Sequence, residues 1–407
     1  MTPMTAGQRE AAFPIGASVT LAELTKDPYP VFERLRDREP VSWIPALNMW
    51  FATRYADVRQ ILLDSDNFTT AWEQSTIFDI FGENMLTTEG ATHNRHRRAL
   101  QEPFMVPNIR QRLEPAIAEA TQRLLAGFGN AERIELRHVF ASRLPIQTIL
   151  LTFGMALDAE TAIRQWYDSF EQALANLTGD PTIRSAAKSS LAAFHLLLDD
   201  AMAECRRRGE TETLLGKLVH GTGRHVLEPD EIKRNIFVVF FGGISTVEAL
   251  ILNAIWALAR HPSTLRRVQG NAGLIDKLLD ETMRWLGPVQ SATRHVRRDI
   301  EFNGVRLREG DVLNCMLGGA NHDPAIFEEP EKFDIDRPNA GSHLGFATGP
   351  HLCIGFRLAK AEAAIAVEGI LDRFPDLEIV EAETTPPEGC EFRQPKKLTI
   401  RSASSRR

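Results

Sequence analysis

The sequence predicts a mostly helical protein with small β-sheets at its edges, on three observations. From about residue 109 to 286, nearly every segment repeats its apolar residues at helical spacing. Runs with strand character lie outside that stretch, within 41–53 and after 299. One segment, 236–259, is apolar throughout its length and suits the central helix of a large core.

Residues 1–26 read as an N-terminal extension of partly irregular structure. Asp27-Pro28-Tyr29-Pro30 opens a short helix over 31–38; strands follow over 41–44 and 49–53, then a helix over 55–64. Segments 159–177 and 183–208 are long amphipathic helices, parted by the breaker Thr178-Gly179-Asp180-Pro181. The 236–259 segment exceeds the roughly 20 residues that a bilayer span needs. Yet Ser245, Thr246, Glu248 and Asn253 lie inside it, a Gly pair interrupts it, and no second span follows. A buried soluble helix fits better, bounded by Pro229 and His261-Pro262 and about 50 Å long. Short strands return at 299–302, 311–314 and 397–401. Without repeats, low-complexity runs or flexible linkers, residues 1–407 read as one domain rather than two in series.

Composition narrows the function. With 47 basic against 54 acidic residues the net charge is −7, which argues against a nucleic-acid partner. Cys205, Cys315, Cys353 and Cys390 are scattered and form no C-x-x-C pair, as expected in a reducing cytoplasm. Residues 1–20 contain no apolar run, so neither a secretory signal nor a membrane anchor is expected.

The most informative stretch is Phe346-Ala347-Thr348-Gly349-Pro350-His351-Leu352-Cys353-Ile354-Gly355. It sets one cysteine on a Gly-flanked loop directly before the amphipathic segment 356–374. A thiolate at a helix N-terminus is stabilised by the helix dipole and by unpaired N–H groups. Gly349 and Gly355 allow tight turning and close approach to a large flat partner. A lone thiolate held in this way suits the axial position of a haem iron.

Other patterns stand in sequence around it. Gly242-Gly243-Ile244-Ser245-Thr246 places two glycines inside the central helix, each costing about 1 kcal/mol relative to alanine. Such glycines mark a close approach or a local opening. Glu281 and Arg284 fall on one helical face at i, i+3, followed downstream by Pro330 to Arg337. His93 and Arg97 share a face at i, i+4 within a basic run that by itself reads as a solvated surface.

The cysteine stretch fills every specified position of F-x-x-G-x-H-x-C-x-G, and with the other motifs the chain resembles the cytochrome P-450 family from about Asp27 to near Arg401. The resemblance implies that family's triangular helical prism, with haem b clamped between the central helix and the helix after Cys353. It implies Cys353 as the iron ligand within a loop that includes Phe346 and Gly355. His93, Arg97, Arg294 and His351 become propionate partners, and Glu281, Arg284 and Arg337 a structural triad. Gly242, Gly243, Ser245 and Thr246 correspond to the oxygen-binding groove, with Thr246 the hydroxyl that supports protonation of bound oxygen. Ser245 departs from the family, which has a carboxylate there; Glu248, about 200° round the helix from Thr246, is an uncertain replacement. Arg95 and Arg98 would form part of a basic docking patch.

The implied activity is reductive dioxygen activation and hydroxylation of a hydrophobic small molecule. No nucleotide fingerprint occurs, so electrons would come from a separate ferredoxin or flavodoxin with its NAD(P)H reductase. By family position the substrate pocket takes Ile77, Phe78, Ile80, Phe81, Met85, Val239, Gly242, Val289, Gln290 and Arg393, together with segment 166–177, although each apolar member suits a core equally well. A cytoplasmic monomer is expected. Ser245 keeps open a peroxide-driven peroxygenase, and a non-catalytic haem sensor or ligand-binding protein is the third reading.

Overall fold

Helices dominate the computed structural model, which describes residues 6–174, 176, 180–222 and 225–402. Packing divides the chain into two units, each discontinuous in sequence. The first comprises Met1–Thr70, Ala249–Cys353 and Phe374–Arg407; the second comprises Ala71–Glu248 and Ile354–Arg373.

The first unit carries a five-stranded sheet. Val41–Ile44 pairs antiparallel with Met49–Ala52, and Asn48 in the connecting turn takes φ +52, a conformation asparagine tolerates. Met49–Ala52 runs parallel to Val312–Met316, which pairs antiparallel with Ser291–Val296; the short strand Phe68–Thr69 closes the other edge. Trp50, Phe68, Val296, Leu313 and Cys315 are buried together and form one core of this unit. A separate hairpin, Ile300–Phe302 with Val305–Leu307, turns at Asn303-Gly304 with φ of +50 and +75, the residue pair such a turn favours.

The second unit is built on helices. Pro181–Arg208 has Asp180 as N-cap, its side chain accepting from the Thr182 N–H at 2.8 Å, and left-handed Gly209 as its stop. Against Glu160–Leu174 and the first part of the central helix lies an aromatic cluster. Phe237 meets Phe81, Phe170 and Phe194 with ring centroids at 4.9, 4.7 and 5.3 Å.

Most expected elements are present with shifted ends. The helix expected over 31–38 is Tyr29–Arg38, and that over 55–64 is Tyr55–Leu63. Of the segment 159–177, Glu160–Leu174 is helix, with residues 175 and 177 outside the described residues, and 183–208 extends back to Pro181. Thr178 and Gly179 of the breaker lie outside the described residues. The strand read over 299–302 is Ile300–Phe302, that over 311–314 is Val312–Met316, and that over 397–401 is Thr399–Ser402. One reading needs correction, and one strand was not expected. Residues 6–26 are largely helical, in Ala6–Ala12, Pro14–Ala17 and Leu21–Lys26, the last held by a full capping box between Thr20 and Glu23. Ser291–Val296 is a strand that the polar sequence Ser-Ala-Thr-Arg-His conceals, because it shows no apolar alternation.

The central helix runs unbroken over Pro229–Arg260. Its most apolar window is 78% buried, so this span-length segment is a core helix. Two of its asparagines bond to distant segments. Asn235 Oδ1 accepts from the Met85 N–H at 2.9 Å, and Asn253 Nδ2 donates to the carbonyls of Leu286 and Arg393 at 2.8 and 3.0 Å.

Candidate active site

In the first unit, the cysteine loop is shaped by backbone conformations that few sequences permit. Ala347 has φ +57 and Gly349 φ +75; a Cβ on Gly349 would come 2.7 Å from the Leu62 carbonyl oxygen. Leu352 N–H donates to the Gly349 carbonyl at 3.1 Å and Cys353 N–H to the Phe346 carbonyl at 3.0 Å. These bonds fix the cysteine's backbone and leave its side chain half-buried. The other thiols differ. Cys205 and Cys315 are buried, and burial pushes Cys315 up to about 12, while Cys390 is likewise raised by burial. Cys353 and Cys390 are both half-buried, and only Cys353 lies on this constrained loop.

The loop is anchored to the helix Ile275–Trp285. Asn321 Oδ1 accepts from the Leu344 N–H at 2.7 Å, and a Cβ on Gly345 would meet Met283 Cε at 2.6 Å. On that helix Arg284 grips Glu281 through two bonds, Nε to Oε2 at 2.8 Å and Nη2 to Oε1 at 2.7 Å. Arg337 adds a third charge, with its Nε 3.3 Å from Glu281. Arg284 also donates to the carbonyls of Pro330 at 2.6 Å and Lys332 at 2.9 Å, and Asp334 N–H donates to Glu281 at 2.9 Å. All three side chains are nearly or fully enclosed, so each charge is compensated where water cannot help.

His351 and Arg294 also belong to the first unit. His351 ends the turn Gly349–His351, with Nε2 3.3 Å from Thr70 Oγ1. Arg294 is 5% exposed on Ser291–Val296 and donates to the Thr293 carbonyl at 2.9 Å. Beside it on that strand, Ser291 donates to the Glu391 carboxyl, whose pKa is raised by burial. Gln290 is fully buried and donates to the Gly287 carbonyl at 2.7 Å, while Val289 bridges to Phe392. Arg393 donates to the backbone carbonyls of Thr25 and Lys26 at 3.1 and 2.9 Å, so its guanidinium ties down the N-terminal helices instead of facing a ligand.

In the second unit, His93 is 3% exposed on Gly90–Leu100, and Arg97 one turn later is half-buried. Arg95, expected in a docking patch, instead pairs bidentately with Glu231 at 2.8 and 2.5 Å; Arg98 is exposed. Of the expected pocket residues, Ile80, Phe81, Met85 and Val239 are buried, and Phe81 packs on Phe237 and Phe241. Ile77 and Phe78 are half-buried on Thr76–Phe81.

The two glycines of the central helix have different surroundings. A Cβ on Gly243 would come within 2.7 Å of Ile149 Cδ1, so this glycine permits a close approach. Nothing lies within 4 Å of a Cβ on Gly242, which is exposed in an otherwise buried stretch, and Thr246 one turn later is half-exposed. Thr246 Oγ1 donates to the Gly242 carbonyl at 2.6 Å.

Around Ser245 is a group of side chains that sequence spacing did not bring together. Tyr167 Oη donates to the Phe241 carbonyl at 2.6 Å and accepts from the Ser245 N–H at 3.2 Å, with Ser245 Oγ at 3.0 Å. Those two backbone groups are the pair that an α-helix would join directly. Glu171, one turn after Tyr167, is pushed up to about 7 by burial; the Ser245 hydroxyl opposes this, Glu248 reinforces it, and Arg137 opposes it. Arg137 Nε donates to Glu248 Oε1 at 2.5 Å, so Glu248 is a paired, buried carboxylate. The only sequence signal for Tyr167 and Glu171 was their i, i+4 spacing on an amphipathic helix, which any core-facing pair shares.

In the first unit, a half-buried cysteine on a constrained loop, with Arg294 and His351 in the same unit, makes a donor set that suits a haem. Comparison with known proteins agrees. The family model described as Cytochrome P450 matches residues 40–400. The biotin biosynthesis cytochrome P450 of Bacillus subtilis is 28% identical over 91% of this chain and 94% of its own. Cytochrome P450 monooxygenase PikC of Streptomyces venezuelae is 30% identical over 87% of this chain and 86% of its own. Among solved structures, P450BioI in complex with acyl carrier protein ligated to hexadec-9Z-enoic acid has a TM-score of 0.84 at 26% identity, covering 94% of this chain and 100% of that one.

Proposed function

Because the chain belongs to the cytochrome P450 family, as a haem-thiolate monooxygenase, we propose that it hydroxylates a hydrophobic small molecule with electrons passed from NAD(P)H through a separate ferredoxin or flavodoxin and its reductase. The observation that carries the reading is the loop that holds Cys353 by its own N–H and leaves the residue half-buried. When bound, haem b supplies dioxygen binding and reductive activation, the thiolate pushing electron density toward O–O cleavage.

The protein's own groups would divide the remaining work. Cys353 would hold the haem iron through its sulfur, and the Glu281–Arg284–Arg337 triad holds the segment that leads to it. Arg294, His351, His93 and Arg97 offer cationic or N–H donors to the two propionates. Thr246 offers a hydroxyl on the open face of the central helix; released from the Gly242 carbonyl, it can donate to oxygen and orient water. Ile77, Phe78, Ile80, Phe81 and Val239 offer apolar surface, which supports a lipophilic substrate. The reading includes a single domain and a cytoplasmic monomer.

Reduced protein treated with carbon monoxide tests the proposal. The expected result is a red-displaced Soret band that Cys353→Ser abolishes together with turnover; an unchanged spectrum in that variant would refute the assignment. Ser245 supports a second reading, a peroxide-driven peroxygenase, since a serine hydroxyl does not titrate near neutrality. Fast product formation with hydrogen peroxide alone would select it over the ferredoxin-dependent reaction.

A further inference from the structure

His343 closes a small turn ahead of the cysteine loop, within the first unit. Its Nδ1 accepts from the Gly345 N–H at 3.0 Å, the bond that an asparagine side chain makes in an Asx turn. Accepting there requires a neutral ring with its proton on Nε2. Nε2 faces the Asp280 carboxyl, 3.8 Å away on the helix Ile275–Trp285, which favours that tautomer. Gly345 is buried against Met283, where an N–H needs a protein acceptor. From this bond a chain of three leads to the cysteine. Gly345 N–H donates to His343 at 3.0 Å, Ala347 N–H to the Leu344 carbonyl at 2.8 Å, and Cys353 N–H to the Phe346 carbonyl at 3.0 Å. Two peptide units, Leu344–Gly345 and Phe346–Ala347, thus each have both their N–H and their carbonyl engaged. Ala347, with φ +57, takes a conformation that a non-glycine residue rarely adopts unaided. The His343 ring also packs on Phe346, centroid to centroid 5.5 Å.

Resting on the haem-thiolate reading above, we propose that His343 is a positioning residue for the axial sulfur, the terminal acceptor of the chain that fixes the Cys353 N–H and through it the reduction potential of the bound haem. Hydrogen bonds donated to a ligating sulfur withdraw electron density from it and raise the potential. With His343 in place, the Cys353 N–H is occupied by the Phe346 carbonyl. Neighbouring bonds in such a chain polarise and strengthen one another. Without the imidazole acceptor, the Leu344–Gly345 peptide loses its first tether, the left-handed turn at Ala347 relaxes, and the Cys353 N–H is freed to turn toward its own sulfur. The thiolate then donates less to the iron, and the reduced form is favoured. His343 acts through the backbone and not on the reacting atoms.

Amide hydrogen exchange and spectroelectrochemistry of the haem-loaded protein test this with two variants. His343→Phe keeps a ring and loses the acceptor; His343→Asn keeps an acceptor for the residue two positions on and loses the ring. The Gly345 amide should exchange slowly in the parent and in His343→Asn, and about tenfold faster in His343→Phe. The Leu344 amide, bonded to Asn321 Oδ1 at 2.7 Å, should be equally protected in all three. His343→Phe should shift the redox equilibrium about threefold toward ferrous iron, roughly 30 mV upward at 59 mV per tenfold, while His343→Asn holds the parent's potential. A Gly345 amide as fast in the parent as in His343→Phe would overturn the bond. A potential moved by His343→Asn, or unmoved by His343→Phe, would overturn its effect on the sulfur. If His343→Phe also loses protection at Leu344, the parent and His343→Asn decide, equal potentials supporting the chain and unequal ones refuting it. Absence of the red-displaced Soret band would refute the haem-thiolate reading and the potential with it, the exchange pattern still judging the bond to His343.

Discussion

Single side chains decide the chemistry by how their charge is compensated. Arg137 and Glu248 show this. Glu248 is 4% exposed, and its salt bridge with Arg137 accounts for a charged group on a helix that is otherwise apolar. Arg137→Met should destabilise the protein by about 3 kcal/mol, because it strands a buried carboxylate. Adding Glu248→Gln should recover most of that loss, as urea denaturation of the single and double variants would show. A single variant as stable as the parent would mean that water already solvates Glu248. Cys353, by contrast, was legible from residue types alone. The loop that carries it is a turn and a helix start, both local properties of ten consecutive residues.

Among the elements, the central helix carries two glycines whose roles the sequence cannot separate. Both lower helix propensity, yet only Gly243 sits against another side chain, Ile149 at 2.7 Å from its notional Cβ. Gly242→Ala should therefore stabilise the haem-free protein by up to about 1 kcal/mol, the ordinary gain for such a change in a helix. Gly243→Ala should lose about 1 kcal/mol or more, because an overpacked contact outweighs that gain. Thermal melts of the two variants check the difference, and equal shifts would contradict it. Polar residues within the helix were visible in the sequence, but their partners were not. Asn253 meets carbonyls 33 and 140 residues away, pairings that no local periodicity encodes.

Taken as a whole molecule, the protein buries groups of opposite titration sense, and these set its stability against pH. Burial raises Glu171 to about 7 and Glu362 to about 8 from 4.5, so what each contributes is complete below 4.5 and lost as pH rises through those values. Burial lowers His295 to about 4 and His322 to about 3 from 6.5, and pairing with Arg95 lowers Glu231 to about 2 from 4.5. Their contributions are present above the unfolded values and disappear as pH falls through the folded ones. The two histidines and two carboxyls oppose each other between 4.5 and 6.5, so a plateau is expected there, with stability declining above 6.5 and below 4.5. Glu362→Gln should flatten the decline between 6.5 and 8 in melting temperature against pH. An unchanged slope would show that Glu362 is ionised in the folded state.

The helical class, the central helix, the cysteine loop and the Glu281–Arg284 pair were determined by sequence alone, since each depends on spacing or backbone conformation within a few residues. Tertiary structure alone decided that Arg393 and Arg95 are spoken for and that Tyr167 meets Ser245, 78 positions away. The physical reason is range. Periodicity and turn chemistry record what a residue does with its near neighbours, whereas the partner of a buried charge or hydroxyl is set by how distant helices pack.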